Sequence, residues 1–413
     1  MVIYRVKEGD TLEGIARAHG VLPTALAEAN GLTADQPPAV GRALVIRVPG
    51  RVYHAREGDT TASIARRHRT TRARLLQLNP ALAELREPYP GMTLTVAPGE
   101  TPCGAISVVG FAGAATPGEE LSRYLPYLSY LAIGEGRIGE GGSITLPEDA
   151  AILERTRSAG VVPLLTVTAG ERDGREAERQ RTVAALSPEG REALVEALVP
   201  LLKKRGYGGL LLDLSPEVGD TEAMTALLVR LRHRLGHTAA VFSTLPIAAA
   251  EDPLSCRALG RAAGALLAET HTFSSRFSPP SPASPLDRVE EAVRPAAREI
   301  RPEKLLLTLS TRAVDYPIGG GIGRVLPATE AEALSAEGRL GFDPIGQVPY
   351  LARRGGEGER VLFFEDAESF REKLLLLDHL HLGGVALHPL VGCSVPLLLM
   401  LAEMFRIVKP FGE

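Results

Sequence analysis

Tyr4, Gly9-Asp10-Thr11, Ile15-Ala16, His19 and Asn30 return as Tyr53, Gly58-Asp59-Thr60, Ile64-Ala65, His68 and Asn79, every pair 49 residues apart (Gly58 against Gly9, for example). A chain that repeats itself at a fixed period folds the same small unit twice. Each unit opens on a short alternating strand, Val2–Val6 or Val52–Arg56, and enters a turn whose Asp or Thr can cap the next helix. Leu12, Ile15 and Ala16 share a face of that helix. A second helical run reaches Glu28 or Leu76, just ahead of the asparagine, and a closing strand follows at Ala43–Val48 and Thr93–Val96. The order β-α-α-β within one period describes a two-layer module, placed at residues 1–48 and 51–97.

Residues 98–104, which include Pro98, Gly99 and Pro102, read as a linker. Beyond it the pattern changes to apolar runs alternating with helical stretches. Eight strand candidates follow: Ile106–Phe111, Tyr127–Ile133, Val162–Val167, Gly209–Leu214, Ala239–Leu245, Gly264–Ala268, Lys304–Leu309 and Gly384–Leu387. Eight buried parallel strands with helices between them predict an α/β fold, a (β/α)8 TIM barrel over residues 105–413. The glycine-rich segment 312–364, too long for a plain connection, predicts a small insertion subdomain between strands seven and eight. In strand four, alternation sends Leu211, Asp213 and Ser215 into the barrel, so its C-terminal end carries a candidate site carboxylate.

Composition excludes some classes of partner. With a net charge of -4 and no basic stripe interleaved with aromatics, nucleic acid is not expected. No stretch is long and apolar enough for a membrane span, and the N-terminus lacks the apolar core of a secretory signal peptide. Cys103, Cys256 and Cys393, widely spaced, read as isolated buried thiols.

Both repeats resemble LysM modules, which bind N-acetylglucosamine-containing glycans such as peptidoglycan and chitin. The resemblance implies a glycan groove formed by Gly9, Asp10, Thr11, Leu12, Asn30, Gly31 and Leu32 in the first module. In the second it implies Gly58, Asp59, Thr60, Thr61 and Asn79, followed by Pro80 and Ala81, with Thr61 replacing the usual leucine. Read from the residues alone, Asp10 and Asp59 cap helices and close turns.

The barrel resembles the family 18 glycoside hydrolases, in particular LysM-bearing bacterial spore proteins that cut N-acetylglucosamine linkages in cortex peptidoglycan. The matching stretches are Tyr127-Leu128-Ser129-Tyr130, Gly206-Tyr207-Gly208-Gly209, Phe363-Phe364-Glu365-Asp366-Ala367 with Lys373, and Leu382-Gly383-Gly384-Val385. The resemblance implies a strand-four motif whose glutamic acid protonates the glycosidic oxygen while the substrate's acetamido group attacks the anomeric carbon. Here Asp213 is kept, but Ser215 stands where that acid belongs. His271 replaces a tyrosine, His388 stands near the position of a tryptophan, and the chain contains no tryptophan. Tyr130, His271, Asp315, Tyr316, Glu365 and His388 are the expected cleft residues.

Three readings remain open. The barrel is a degenerate, weakly active or inactive relative that binds peptidoglycan or a similar glycan in the spore envelope, cortex or cell wall. Alternatively Glu217 serves as the acid, although Pro216 and two extra residues displace it along the chain by about 6–7 Å. Or His271, His388 and Asp213 converge as a metal or acid–base site. The first reading implies no cofactor and no metal.

Overall fold

The computed structural model describes residues 1–410 except 34, 36, 84, 86, 171–174, 215–220, 336, 337, 339, 356 and 357. Eight parallel strands form the barrel in chain order: Gly104–Ala112, Tyr130–Ile138, Val162–Thr168, Gly209–Asp213, Ala240–Leu245, Ala265–Ala268, Leu305–Ser310 and Gly384–His388. The last pairs with the first, Val385 opposite Val108, and closes the ring. All eight expected runs are strands. The second begins at Tyr130, because Leu125–Tyr127 forms a 3-10 turn ahead of it.

Alternation sorts the side chains of these strands into two cores. Val109, Ala132, Leu164, Leu211, Phe242, Leu267, Leu306 and Ala386 pack together inside the barrel. Leu210, Leu212, Leu266, Leu307, Val385 and Leu387 point outward into a larger core shared with the helices. Burial on both faces is why the strands read as nearly unbroken apolar runs. The same parity fixes the mouth: two residues beyond Leu211, Phe242, Leu267 and Ala386 stand Asp213, Thr244, Glu269 and His388.

Between strands seven and eight lies a five-stranded antiparallel sheet in the order Arg324–Pro327, Arg312–Pro317, Gly358–Phe363, Val348–Gly355 and Gly341–Asp343. The helix Ala328–Ser335 contributes to a core with Ala313, Leu326, Leu351 and Leu362 on one of its faces.

The two N-terminal modules are alike. Val2–Arg5 pairs antiparallel with Ala43–Ile46, and Arg51–His54 with Thr93–Ala97; each pair is separated in sequence by two seven-residue helices. Both are seated on the barrel. Ala43 and Val45 join the large barrel core. Gln77 donates to the carbonyl of Pro126 at 2.8 Å, and the Tyr127 hydroxyl donates to the carbonyl of Gln77 at 3.0 Å. The expected linker is anchored too, since the Cys103 amide donates to the Met404 carbonyl at 2.8 Å. Cys256 and Cys393 are buried as expected, whereas Cys103, at the rim of this junction, is exposed. No described helix is long and apolar enough to cross a membrane.

Candidate functional site

In each module the strand-to-helix turn passes through a left-handed glycine, Gly9 at φ 85° and Gly58 at φ 78°, a conformation that glycine adopts without steric cost. Asp10 closes the first turn by accepting from the Tyr4 hydroxyl at 2.8 Å and the Lys7 amide at 2.7 Å. Asp59 does the same with Tyr53 at 2.6 Å and Arg56 at 2.8 Å. The Lys7 amide and then Tyr4 hold the Asp10 carboxyl below the usual range, and Tyr53 and then the Arg56 amide do so for Asp59. Thr11 and Thr60 cap the helices that follow. Gly9, Thr11, Gly31 and Gly58 remain exposed, with Leu32 half-buried.

Four of the expected groove residues have structural positions instead. Leu12 lies in the first module's core. Asn30 is completely buried: its amide donates to the Leu26 and Val45 carbonyls, and its oxygen accepts from the Val45 amide at 2.7 Å. Asn79 repeats that clamp on Leu75 and Thr95. Thr61 is buried, and its amide donates to Glu87 at 2.6 Å. Side chains spent in this way leave the turn backbone and the small exposed residues as the surface open to a ligand.

At the barrel mouth, Asp213, Thr244 and Glu269 stand on adjacent strands. The Thr244 hydroxyl donates to Asp213 at 3.4 Å and also reaches Glu269. Burial, then the neighbouring Asp213 carboxylate, pushes the Glu269 carboxyl up to about 7. Beside them the rings of His271 and His388 lie 4.7 Å apart, and Phe111 meets His388 edge-on at 4.9 Å. Burial, reinforced for His271 by His388 and for both by Arg312, lowers these histidines to about 3 and about 4, so both are neutral at pH 7. Nδ1 of His271 is buried with no hydrogen-bond partner among the described residues. Among the described residues no three His, Cys, Asp or Glu side chains are grouped as metal ligands, so His271, His388 and Asp213 do not form a three-ligand set.

Ser215 and Glu217 lie outside the described residues. Of the expected cleft residues, only His271 and His388 meet at the mouth. Tyr130 opens its strand, so it lies at the opposite end of the barrel; it packs against Phe242 at 4.9 Å and lines a cavity of about 500 Å³ with Val162 and Pro410. Asp315 is buried in the inserted sheet, paired with Arg360 at 2.7 Å and Arg353 at 2.8 Å. Tyr316, on the other face, is equally buried, and its hydroxyl donates to the Ser275 carbonyl at 3.0 Å, tying down the loop after strand six. Glu365 is buried against Lys373 at 2.6 Å. Glu269 and Thr244 were not among the expected residues. The signal for Glu269 was its parity with Leu267.

The LysM domain model matches residues 4–47 and 53–97. The chain is 26% identical over 304 residues to the cortical fragment-lytic enzyme of Bacillus subtilis, covering 69% of each protein. Its fold superposes on the spore cortex-lytic enzyme SleL of Bacillus cereus with a TM-score of 0.79, at 22% identity over 100% of this chain and 99% of that one. A chitinase from Chromobacterium violaceum matches at a TM-score of 0.65 and 18% identity, over 72% of this chain and 98% of its own. The chain thus carries two LysM domains ahead of a barrel that has the fold of the spore cortex-lytic enzyme SleL and of a chitinase.

Proposed function

We propose that this protein binds N-acetylglucosamine-containing glycan, peptidoglycan foremost, through its LysM modules, and that their fixed seat on the barrel holds the barrel mouth against the same polymer. The observation that carries this reading is the repeated turn, in which Asp10 and Asp59 hold the backbone rigid while Gly9, Thr11, Gly31 and Gly58 stay exposed. Preformed backbone donors and small polar groups suit an acetamido sugar, and two modules on one body favour a polymer over a monomer. Likeness to spore cortex-lytic enzymes supports the spore envelope or cell wall as the location of that polymer.

Family-type hydrolysis through strand four is not part of this function. Ser215 stands at the position of the acid, and a hydroxyl with so high a pKa does not protonate a leaving oxygen near neutral pH. Any turnover must take its proton from another group. The binding reading is tested by pelleting the full-length protein with insoluble peptidoglycan. Saturable retention that soluble N-acetylglucosamine oligomers compete away, and cellulose oligomers do not, is the expected result; the absence of saturable retention would refute it.

A further inference from the structure

Glu269 is a half-buried carboxyl with no cation beside it among the described residues, and it faces a second carboxyl, Asp213, across one threonine hydroxyl. Three other buried carboxylates of this chain are neutralised directly: Asp315 by two arginines, Glu365 by Lys373, Glu403 by Arg47. Thr244 has one proton to donate, so a bond to Asp213 leaves none for Glu269. Uncompensated burial of this kind disfavours the charged form and marks functional sites more often than structural ones.

We propose that Glu269 is the proton donor of this barrel, supplying from strand six what Ser215 cannot supply from strand four, with a glycan containing N-acetylglucosamine as substrate. The inference rests on the glycan reading above. Glu269 shares the interior parity of Leu267 and stands above the barrel core, next to Asp213 and at the same end of the barrel as the uncharged rings of His271, His388 and Phe111. Its carboxyl, raised by burial and by Asp213, is half-protonated near neutrality, the condition a general acid needs there.

The step balances without a cofactor. Glu269 gives its proton to the glycosidic oxygen as the bond from that oxygen to the anomeric carbon breaks; the bonding pair goes to the oxygen, which leaves as a hydroxyl. The carbonyl oxygen of the acetamido group on the same sugar bonds to the anomeric carbon, with Asp213 holding its N–H. Water then adds to that carbon and returns a proton to Glu269, the carbon–oxygen bond to the acetamido group breaks, and the net change is one water consumed per linkage.

The test measures reducing ends released by the full-length protein from cortex peptidoglycan and from N-acetylglucosamine oligomers, from about pH 4 to about pH 8, alongside pelleting. The expected result is turnover that falls on the alkaline side near pH 7, a loss of about 100-fold or more in Glu269→Gln, and unchanged pelleting by that variant. Thr244→Val, which removes only the bridging hydroxyl, is expected to shift the alkaline limb. Wild type that releases no reducing ends at any pH overturns the proposal, as does Glu269→Gln turnover within about twofold of wild type. So does activity lost in Glu217→Gln but kept in Glu269→Gln. Loss of pelleting without loss of turnover on oligomers refutes the binding reading and leaves the proton donor standing.

Discussion

Oε1 of Glu403, on the last barrel helix, accepts from Nη2 of Arg47 at 2.7 Å and from its Nε at 2.8 Å. Glu403 also offsets the charge of Arg74, whose guanidinium is otherwise disfavoured by burial and by Arg47. Arg47 follows the first module's closing strand and Arg74 lies in the second module's second helix, so one carboxylate serves both module seats. Glu403→Gln leaves two partly buried cations without their counter-charge. The expected cost is about 2–3 kcal/mol, below the range for breaking a fully buried pair because Arg47 retains some solvent. Chemical denaturation of the two proteins side by side measures it.

Glu269 makes stability fall as pH rises. Its folded pKa of about 7 exceeds the ordinary value of 4.5, so the folded state holds the proton more tightly. The stabilising contribution is complete below about pH 4.5 and is lost as pH climbs through about 7. Glu269→Gln removes that dependence. It should be nearly neutral at pH 4.5 and stabilising by up to about 3 kcal/mol at pH 8, a ceiling set by the size of the shift. Denaturation midpoints at the two pH values decide it, and an equal effect at both would mean that the carboxyl is not held protonated.

His271 and His388 act in the opposite direction. Their folded pKa values, about 3 and about 4, lie below the ordinary 6.5, so the unfolded chain takes up protons first as pH falls. Stability is then full above about pH 6.5 and drains away down to about pH 4. Exchanging His388 for Asn should make that acid limb shallower, leaving the contribution of His271, without touching the alkaline one. Thermal melts from pH 4 to 7 show whether it does.

The barrel was legible in the sequence because each of its strands is buried on both faces, so every run of Leu, Val and Ala marks a strand whichever way it faces. Parity within strand four also held for Leu211 and Asp213. The site was less legible. Tyr130 was expected in the cleft from the resemblance of its Tyr-Leu-Ser-Tyr stretch, but it opens its strand and so belongs to the other end of the barrel. Asp315 and Tyr316 were misassigned because they alternate across an inserted sheet whose pairing no local pattern reveals, and whose arginines bury a carboxylate that looks polar in the sequence. Glu269 is legible only from its parity with Leu267, which points it inward, because the family resemblance singles out His271, two residues on.

Asn30 and Asn79 carry structural rather than binding energy. Asn30 makes three buried hydrogen bonds that tie the second helix to the closing strand, so Asn30→Ala leaves the Val45 amide and carbonyl without their side-chain partner. A cost of about 3 kcal/mol is expected for Asn30→Ala. The half-buried Asn79 should cost less, since its partners retain access to water. Any loss of glycan retention should follow the loss of folded module and disappear at temperatures where the variant remains folded. Hydrogen exchange of the Val45 and Thr95 amides reports on each clamp directly.

The two modules should not bind glycan equally, and Glu87 is the reason. Its Oε2 accepts from the Thr61 amide at 2.6 Å, and Arg72 donates to the Thr61 hydroxyl at 3.2 Å, so backbone and side chain at this groove position are already engaged. The first module has Pro38 at the position 49 residues before Glu87, a residue that cannot place a carboxylate on the Leu12 amide. A glycan entering the second groove must displace a charge-assisted hydrogen bond worth about 1.5–3 kcal/mol, equivalent to roughly a tenfold or greater weakening. Glu87→Ala removes an exposed side chain, frees the Thr61 amide and should strengthen retention on peptidoglycan by about that factor while leaving the fold intact. Titration calorimetry with N-acetylglucosamine oligomers should resolve two unequal sites in the wild type and bring them closer together in the variant. Two equal sites in the wild type would show that Glu87 does not compete with the glycan.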